Sequence, residues 1–282
     1  MRTLRLLGLV GAVLVVTALA SPWAAWGAAV VMGRPFTFAR VYDRVFEVVL
    51  VAGLLASWRR LDLGSATSIG FRRHAWAREL GRGLAIGLAG LAVGRGLAEL
   101  FGGVTPARRF SGTKTLRKAL LGASAALAIG VGEEALFRGV VLRRIRRDAG
   151  NVVAVAATTL VYAAVHVIRA RSYLGPVDAW SGVRQTVTLF APLASGAALP
   201  QLAGLVLLGL LLALARLRSG ALWLPIGIHA AFVAAFRVGR LFFDVRSAPA
   251  WVVGTGWPPL IGGAAGWVAV AVAALLLRRR RS

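Results

Sequence analysis

Apolar runs long enough to cross the roughly 30 Å of a bilayer's hydrocarbon recur along the whole of this 282-residue chain. No single water-soluble core absorbs so many of them. A mean hydropathy of +0.75 and a 58% hydrophobic composition place the chain in lipid instead. The expected fold class is all-α: a polytopic transmembrane helical bundle of about eight spans enclosing a polar intramembrane cavity. The spans are expected near 6–31, 45–58, 83–103, 119–136, 151–168, 199–215, 221–243 and 259–277, the second being the shortest.

In a water-soluble protein a net charge of +24 would suggest nucleic acid. Here the cations collect in short connections, where they meet anionic headgroups and set orientation. With the N terminus inside, Arg2, Arg5, Arg59, Arg60, Arg72, Arg73, Arg78, Arg82, the arginines of 138–147, Arg216, Arg218 and Arg278 to Arg281 share the inner face. They outnumber those opposite, at 34, 40, 44, 108, 109, 114, 117, 118, 169, 171, 184, 237, 240 and 246. Both termini are therefore expected to be cytoplasmic, with the lipid bilayer as partner and no nucleic acid. Arginine far outnumbers lysine, which suggests a GC-rich bacterial genome and hence a bacterial inner membrane. Cysteine is absent, so disulfides, a thiolate nucleophile and Cys-ligated metals are excluded. Arg2, Arg5 and Ala18-Leu-Ala20 resemble a signal peptide, but the apolar run continues through Trp23 and Trp26 to Val31, so an uncleaved first span is expected.

No internal repeat or long linker divides the chain. It reads as one integral domain in three segments: N-terminal helices and a cytoplasmic loop over 1–114, a core over 115–243, and a last helix with a basic tail over 244–282. Within the loop, Phe71, Trp76 and Leu80 alternate with arginines from Ile69 to Leu80, the pattern of a short amphipathic helix at the headgroups. Residues 169–198, with Gly175-Pro176, Asp178 and Trp180, are expected to form a connector with an interfacial segment.

The residues that point to chemistry begin with Glu133-Glu134, at the end of the apolar run from Leu120. A charged side chain at membrane depth costs about 2.5–3.5 kcal/mol on insertion scales, so two side by side need a cavity, a partner or a task. Glu134 and Arg138 are four apart and share a helical face, whereas Glu133 is rotated about 100° away. One acid can then pair with the arginine while the other faces a cavity, where desolvation moves a carboxylate toward general-base strength near neutrality. Solvation of both acids at the membrane edge, beside the arginines of 143–147, is the plainer reading. Tyr162 and His166 stack four apart on a second apolar run, and His229 lies on a third. With only three histidines in the chain, two of them in apolar runs downstream of an acidic pair suggest one shared site.

These motifs, in this order, resemble the CPBP superfamily of intramembrane proteases, the CaaX-protease and bacteriocin-processing family. Glu133-Glu134-Ala-Leu-Phe-Arg138 resembles its EExxxR signature, Tyr162-x-x-x-His166 its FxxxH motif with Tyr for Phe, and Arg218 to His229 the helix pair bearing its third motif. The likeness covers roughly residues 115–240; Ile69-Gly-Phe-Arg-Arg is a weaker echo of an upstream segment. It departs at Val233, where the family's HxxxN motif often has Asn.

The resemblance implies an intramembrane endopeptidase acting on a membrane-associated or exported peptide or protein. Glu133 would activate a water with His166 sharing its proton, His229 would face the developing oxyanion, and Glu134 and Arg138 would form a supporting pair, with Tyr162 beside them. Two mechanisms are open: Glu133, His166 and His229 ligating a divalent metal such as Zn, or metal-free acid–base hydrolysis. Two other functions are open as well. One is a non-catalytic membrane scaffold or immunity-type relative, to which Val233 points. The other is a proton-coupled transporter, which the missing inverted repeat does not favour.

Overall fold

The structure is a computed structural model. It describes residues 2–33, 36–59, 64–107, 109–168, 173, 175–191, 196–246, 249–255 and 259–278. Of the cations read above as membrane anchors, Arg34, Arg60, Arg108, Arg169, Arg171 and Arg279 to Arg281 lie outside the described residues. By packing, the chain falls into two units: Met1–Gly64 with Val165–Gly196, and Ser65–Ala164 with Ala197–Ser282. These boundaries differ from the sequence segments at 114 and 243.

The first unit holds helices α1 (Arg2–Met32) and α2 (Phe38–Ala56). The short helix of the 169–198 connector, Ser181–Leu189, packs on both. Gly182 permits its approach to α1, because a Cβ there would lie 1.9 Å from the Ala18 carbonyl oxygen. Tyr42 and Thr186 share a 2.7 Å hydroxyl hydrogen bond, and Phe38, Tyr42 and Leu189 form a buried cluster. The expected span 45–58 overlaps the second half of α2 and runs past its end at Ala56; α2 bears Arg40, Asp43, Arg44 and Glu47 and is not among the helices apolar enough to count as a membrane span.

The second unit begins with α3 (Ala66–Ile69) and α4 (Trp76–Leu100), followed by α5 (Gly112–Glu134). A π-helical segment (Ala135–Val141) leads from α5 into α6 (Leu142–Val167). Helix α7 is the Ser181–Leu189 helix of the first unit; α8 (Leu199–Ser219), α9 (Trp223–Gly239), α10 (Ala250–Val253) and α11 (Ala264–Arg278) complete the order. Two short strands, β1 (Val104–Pro106) and β2 (Phe243–Val245), pair antiparallel with Thr105 opposite Asp244.

Among the described residues, four helical stretches are long and apolar enough to cross a membrane: Gly8–Met32, Trp76–Leu100, Gly112–Val167 and Leu199–Ser219. The third is 56 residues long and bends at Gly150, whose φ of 81° and ψ of 177° leave helical space. It thereby contains both expected spans, 119–136 and 151–168. Helices α9 and α11 are apolar but shorter. The all-α membrane bundle is the observed class, and the expected span list holds approximately.

One local expectation is corrected. Ile69–Leu80 is not a continuous amphipathic helix: α3 stops at Gly70 (φ 120°), Ala75 takes a left-handed φ of 56°, and Trp76 already opens α4. Tertiary partners outcompete the helix here. The Gly70 carbonyl accepts from Leu222 N at 2.9 Å, the Arg72 carbonyl from Trp223 Nε1 at 2.7 Å, and Phe71 and Trp76 stack on Trp223.

What positions the site is a set of close helix crossings made possible by glycine. A Cβ on Gly83 would lie 2.3 Å from the Leu224 carbonyl oxygen, and one on Gly227 would lie 2.3 Å from that of Leu80. Helices α4 and α9 therefore meet backbone to backbone. One turn on, Gly87 faces Ala231; further along, Gly90 and Gly94 admit the α11 carbonyls of Ala269 and Ala265. On the other side of α9, Gly130 of α5 faces Ile226 and Ala230. Helix α9 is thus held between α4 and α5, with His229 at its centre.

Candidate active site

The end of α5 delivers the two acids to different environments. Glu134 is fully buried, whereas the Glu133 side chain keeps 31% of its surface exposed. The π segment starts at the next residue and carries Arg138. π-Helical turns inside α-helices are uncommon and occur mostly at functional sites.

Arg138 donates from Nη1 to Glu134 Oε1 at 3.0 Å and from Nη2 to the Gly209 carbonyl of α8 at 3.0 Å. Both charged side chains of that pair are 0% exposed. The guanidinium also lies 4.5 Å from the Tyr162 ring centroid. A charge pair this deeply buried needs partners to offset its desolvation; the carbonyl and ring face add to what Glu134 supplies, while Glu134 Oε2 and Arg138 Nε find no hydrogen-bond partner among the described residues. Gly209 makes the approach possible, since a Cβ there would crowd Tyr162 at 3.1 Å and Thr159 at 3.3 Å.

His229 enters from α9, 98% buried. Its Nδ1 lies 2.8 Å from Glu134 Oε1. A carboxylate paired with arginine is ionised and only accepts, so Nδ1 carries the hydrogen. This bond orients the ring and leaves Nε2 pointing toward Glu133, 3.7 Å from its Oε2. That Glu133 oxygen is itself buried, although the side chain as a whole is partly exposed. Tyr162 closes the far side, edge-on to His229 with centroids 6.0 Å apart, and Phe137 packs against it in turn.

Of the residues singled out from the sequence, Glu133, Glu134, Arg138, Tyr162 and His229 come together in the second unit. His166 lies in the last turn of α6, one turn after Tyr162, past the point where the chain passes into the first unit. Val233 follows His229 by one turn on α9 and is partly buried. Two contributors were not visible in the sequence. Gly209 acts through its carbonyl, which no side-chain pattern announces. Thr158, one turn before Tyr162, is fully buried and its hydroxyl finds no hydrogen-bond partner among the described residues.

Glu134 is committed to two partners and is not a free metal ligand. Glu134 Oε1 is shared by the Arg138 guanidinium and His229 Nδ1. Among the described residues no three His, Cys, Asp or Glu side chains are grouped to hold one. The arrangement is instead an acid–imidazole–acid relay, with a buried, cation-neutralised end at Glu134 and a reachable end at Glu133.

Residues 115–235 match a family model described as Type II CAAX prenyl endopeptidase Rce1-like. No curated protein and no solved structure matches the chain.

Proposed function

Because residues 115–235 match the model of the Rce1-like type II CAAX prenyl endopeptidases, we propose that this integral membrane protein hydrolyses a peptide bond within or beside the bilayer. The observation that carries this reading is the approach of the partly exposed Glu133 to His229 Nε2 at 3.7 Å, while Nδ1 is tied to buried Glu134. Glu133 takes a proton from the attacking water. His229, held by Glu134, faces the carbonyl oxygen on which charge develops, and Glu133 hands the proton it took from the water to the leaving amine. Arg138 holds Glu134 in place through a 3.0 Å hydrogen bond. The resemblance adds His166 as the residue sharing the water's proton. The substrate class is a membrane-associated or exported peptide or protein; no feature of the chain singles out a prenyl group.

Val233 favours a second reading. Where it replaces the family's Asn, one oxyanion donor is missing, and such a loss costs about 2.7–4 kcal/mol of transition-state stabilisation in a built site. A non-catalytic membrane scaffold would need no such donor.

The test is cleavage of a mixed pool of membrane-anchored peptides by the purified chain in proteoliposomes, read by mass spectrometry. The protease reading expects products that Glu133→Gln diminishes by roughly 10²–10⁴-fold, the usual contribution of a general base, and that metal chelation leaves unchanged. Peptide retention without cleavage would support the scaffold instead.

A further inference from the structure

The second unit is cationic at both ends. Arg143, Arg144, Arg146, Arg147, Arg216 and Arg218 lie where α5–α6 and α8 run out beyond the acids. Arg109, Lys118, Arg237, Arg240 and Arg246 lie at the opposite end, where α5 begins and α9 finishes. A Lys/Arg bias orients a membrane protein by marking one side. At this second end, however, the cations are gathered into one groove rather than scattered along connections.

That end is shaped as well as charged. Its five cations line a groove of about 890 Å³. Asp244, its one carboxylate, is engaged by Arg109. Among the described residues no carboxylate pairs with Lys118, Arg237, Arg240 or Arg246. Phe110, Leu121, Leu241 and Phe243 supply apolar wall between them, and Lys118 Nζ sits 4.8 Å from the Phe110 ring centroid. The β1–β2 ladder holds one rim, because Asp244 and Phe243 sit on β2 and Arg246 N donates to the Gly103 carbonyl at 2.9 Å.

The groove lies at headgroup level. Exposed aromatic side chains at the same end, Phe101, Phe242 and Trp251, form the kind of belt that marks a membrane interface, and Phe101 and Trp251 stack at 4.9 Å. By helical rise Lys118 is roughly 22–24 Å from the acids along α5, and Arg237 about 12 Å from His229 along α9. It is a separate feature from the candidate active site.

We propose that this groove binds the phosphate headgroup of an anionic phospholipid. Lys118, Arg237, Arg240 and Arg246 surround the phosphate, and the phenylalanine and leucine side chains receive the first methylenes of its chains. Basic pockets between membrane helices recognise anionic headgroups by this combination. The assignment is independent of whether the acids hydrolyse peptides.

The experiment is native mass spectrometry of the full chain in detergent, titrated with phosphatidylglycerol and, in parallel, phosphatidylcholine. The native chain is expected to prefer phosphatidylglycerol. R237Q/R240Q is expected to weaken that binding by about ten- to thirty-fold, whereas R146Q/R218Q, at the other end, leaves it intact. All four arginines are exposed, and thermal unfolding checks that each variant folds; R246Q is a second groove variant. Equal losses from both double variants, or no preference for the anionic lipid, would overturn the proposal. So would full displacement of phosphatidylglycerol by equimolar inorganic phosphate, which would indicate a soluble anion.

Discussion

Arg138 does at the residue scale what lysine could not. Its planar fork reaches Glu134 with one nitrogen and the Gly209 carbonyl with another while its face rests near Tyr162, a set of contacts that needs guanidinium geometry. Removing it leaves Glu134 buried and uncompensated. Arg138→Met is therefore expected to lower stability by about 3–5 kcal/mol, measured by unfolding in detergent, with Arg138→Lys only partly rescuing it. Glu133→Gln is expected to leave the unfolding midpoint almost unchanged, since Glu133 is the reachable acid. Equal destabilisation by the two variants would remove the distinction between supporting and reacting acid. A second residue-scale expectation lies outside the spans. The hydrogen bond from Arg184 holds the exposed Asp178 carboxyl below its usual range. A depressed carboxylate contributes stability above its unfolded pKa and loses it as pH falls through the folded one. The protection factor for amide exchange over 178–184, with the intrinsic pH dependence of exchange divided out, is therefore expected to fall in acid, below the ordinary carboxylate range, and to be flat from there to neutrality. The Glu134–Arg138 pair was legible because a four-residue spacing is a local property of a helix. The bond from His229 to Glu134 was not, because the two residues are 95 positions apart and only the packing of α9 against α5 brings them together.

At the scale of elements, glycine decides how closely the helices approach. Gly83 and Gly87 line the α4 face against α9, and Gly90 and Gly94 the face against α11. In lipid, where apolar burial supplies no drive between helices, such close packing carries the association. Gly83→Leu is expected to push α9 outward, costing about 1–3 kcal/mol in overpacking and displacing His229 from Glu134, so that activity falls with stability. Gly96 has nothing within 4 Å of where its Cβ would sit. There, Gly96→Ala is expected to stabilise by about 0.5–1 kcal/mol, and thermal unfolding of the two variants checks both signs. The abundance of glycine was readable from composition, but which glycines face a partner depends on the crossings themselves. The π segment was equally hidden: Ala135–Val141 has no sequence pattern that separates a five-residue hydrogen-bond step from an ordinary helical turn. The loop from Ile69 to Leu80 went the other way, where a convincing amphipathic pattern gave way to carbonyls at Gly70 and Arg72 claimed by Leu222 and Trp223.

For the whole molecule, hydropathy alone was enough to specify an all-α membrane protein, since lipid leaves the backbone few ways to satisfy its polar groups. The number of spans was less legible. Charged residues within α2 and the bend at Gly150 change how apolar stretches become helices, and neither is a matter of mean hydropathy. Of the motifs read from the sequence, those bearing the acids and His229 lie on helices whose packing brings them within contact of one another. The reaction they perform rests on the reading that Glu133 is the group that moves a proton. That claim is tested most directly by comparing protein termini, by mass spectrometry, in membranes and medium from cells carrying the native chain or Glu133→Gln at equal abundance. A defined set of processed termini present with the native chain and absent with the variant is the predicted result, and those termini identify the substrate and the bond. Identical termini in both, alongside a phenotype on deleting the whole protein, would contradict hydrolysis and leave a binding role in its place.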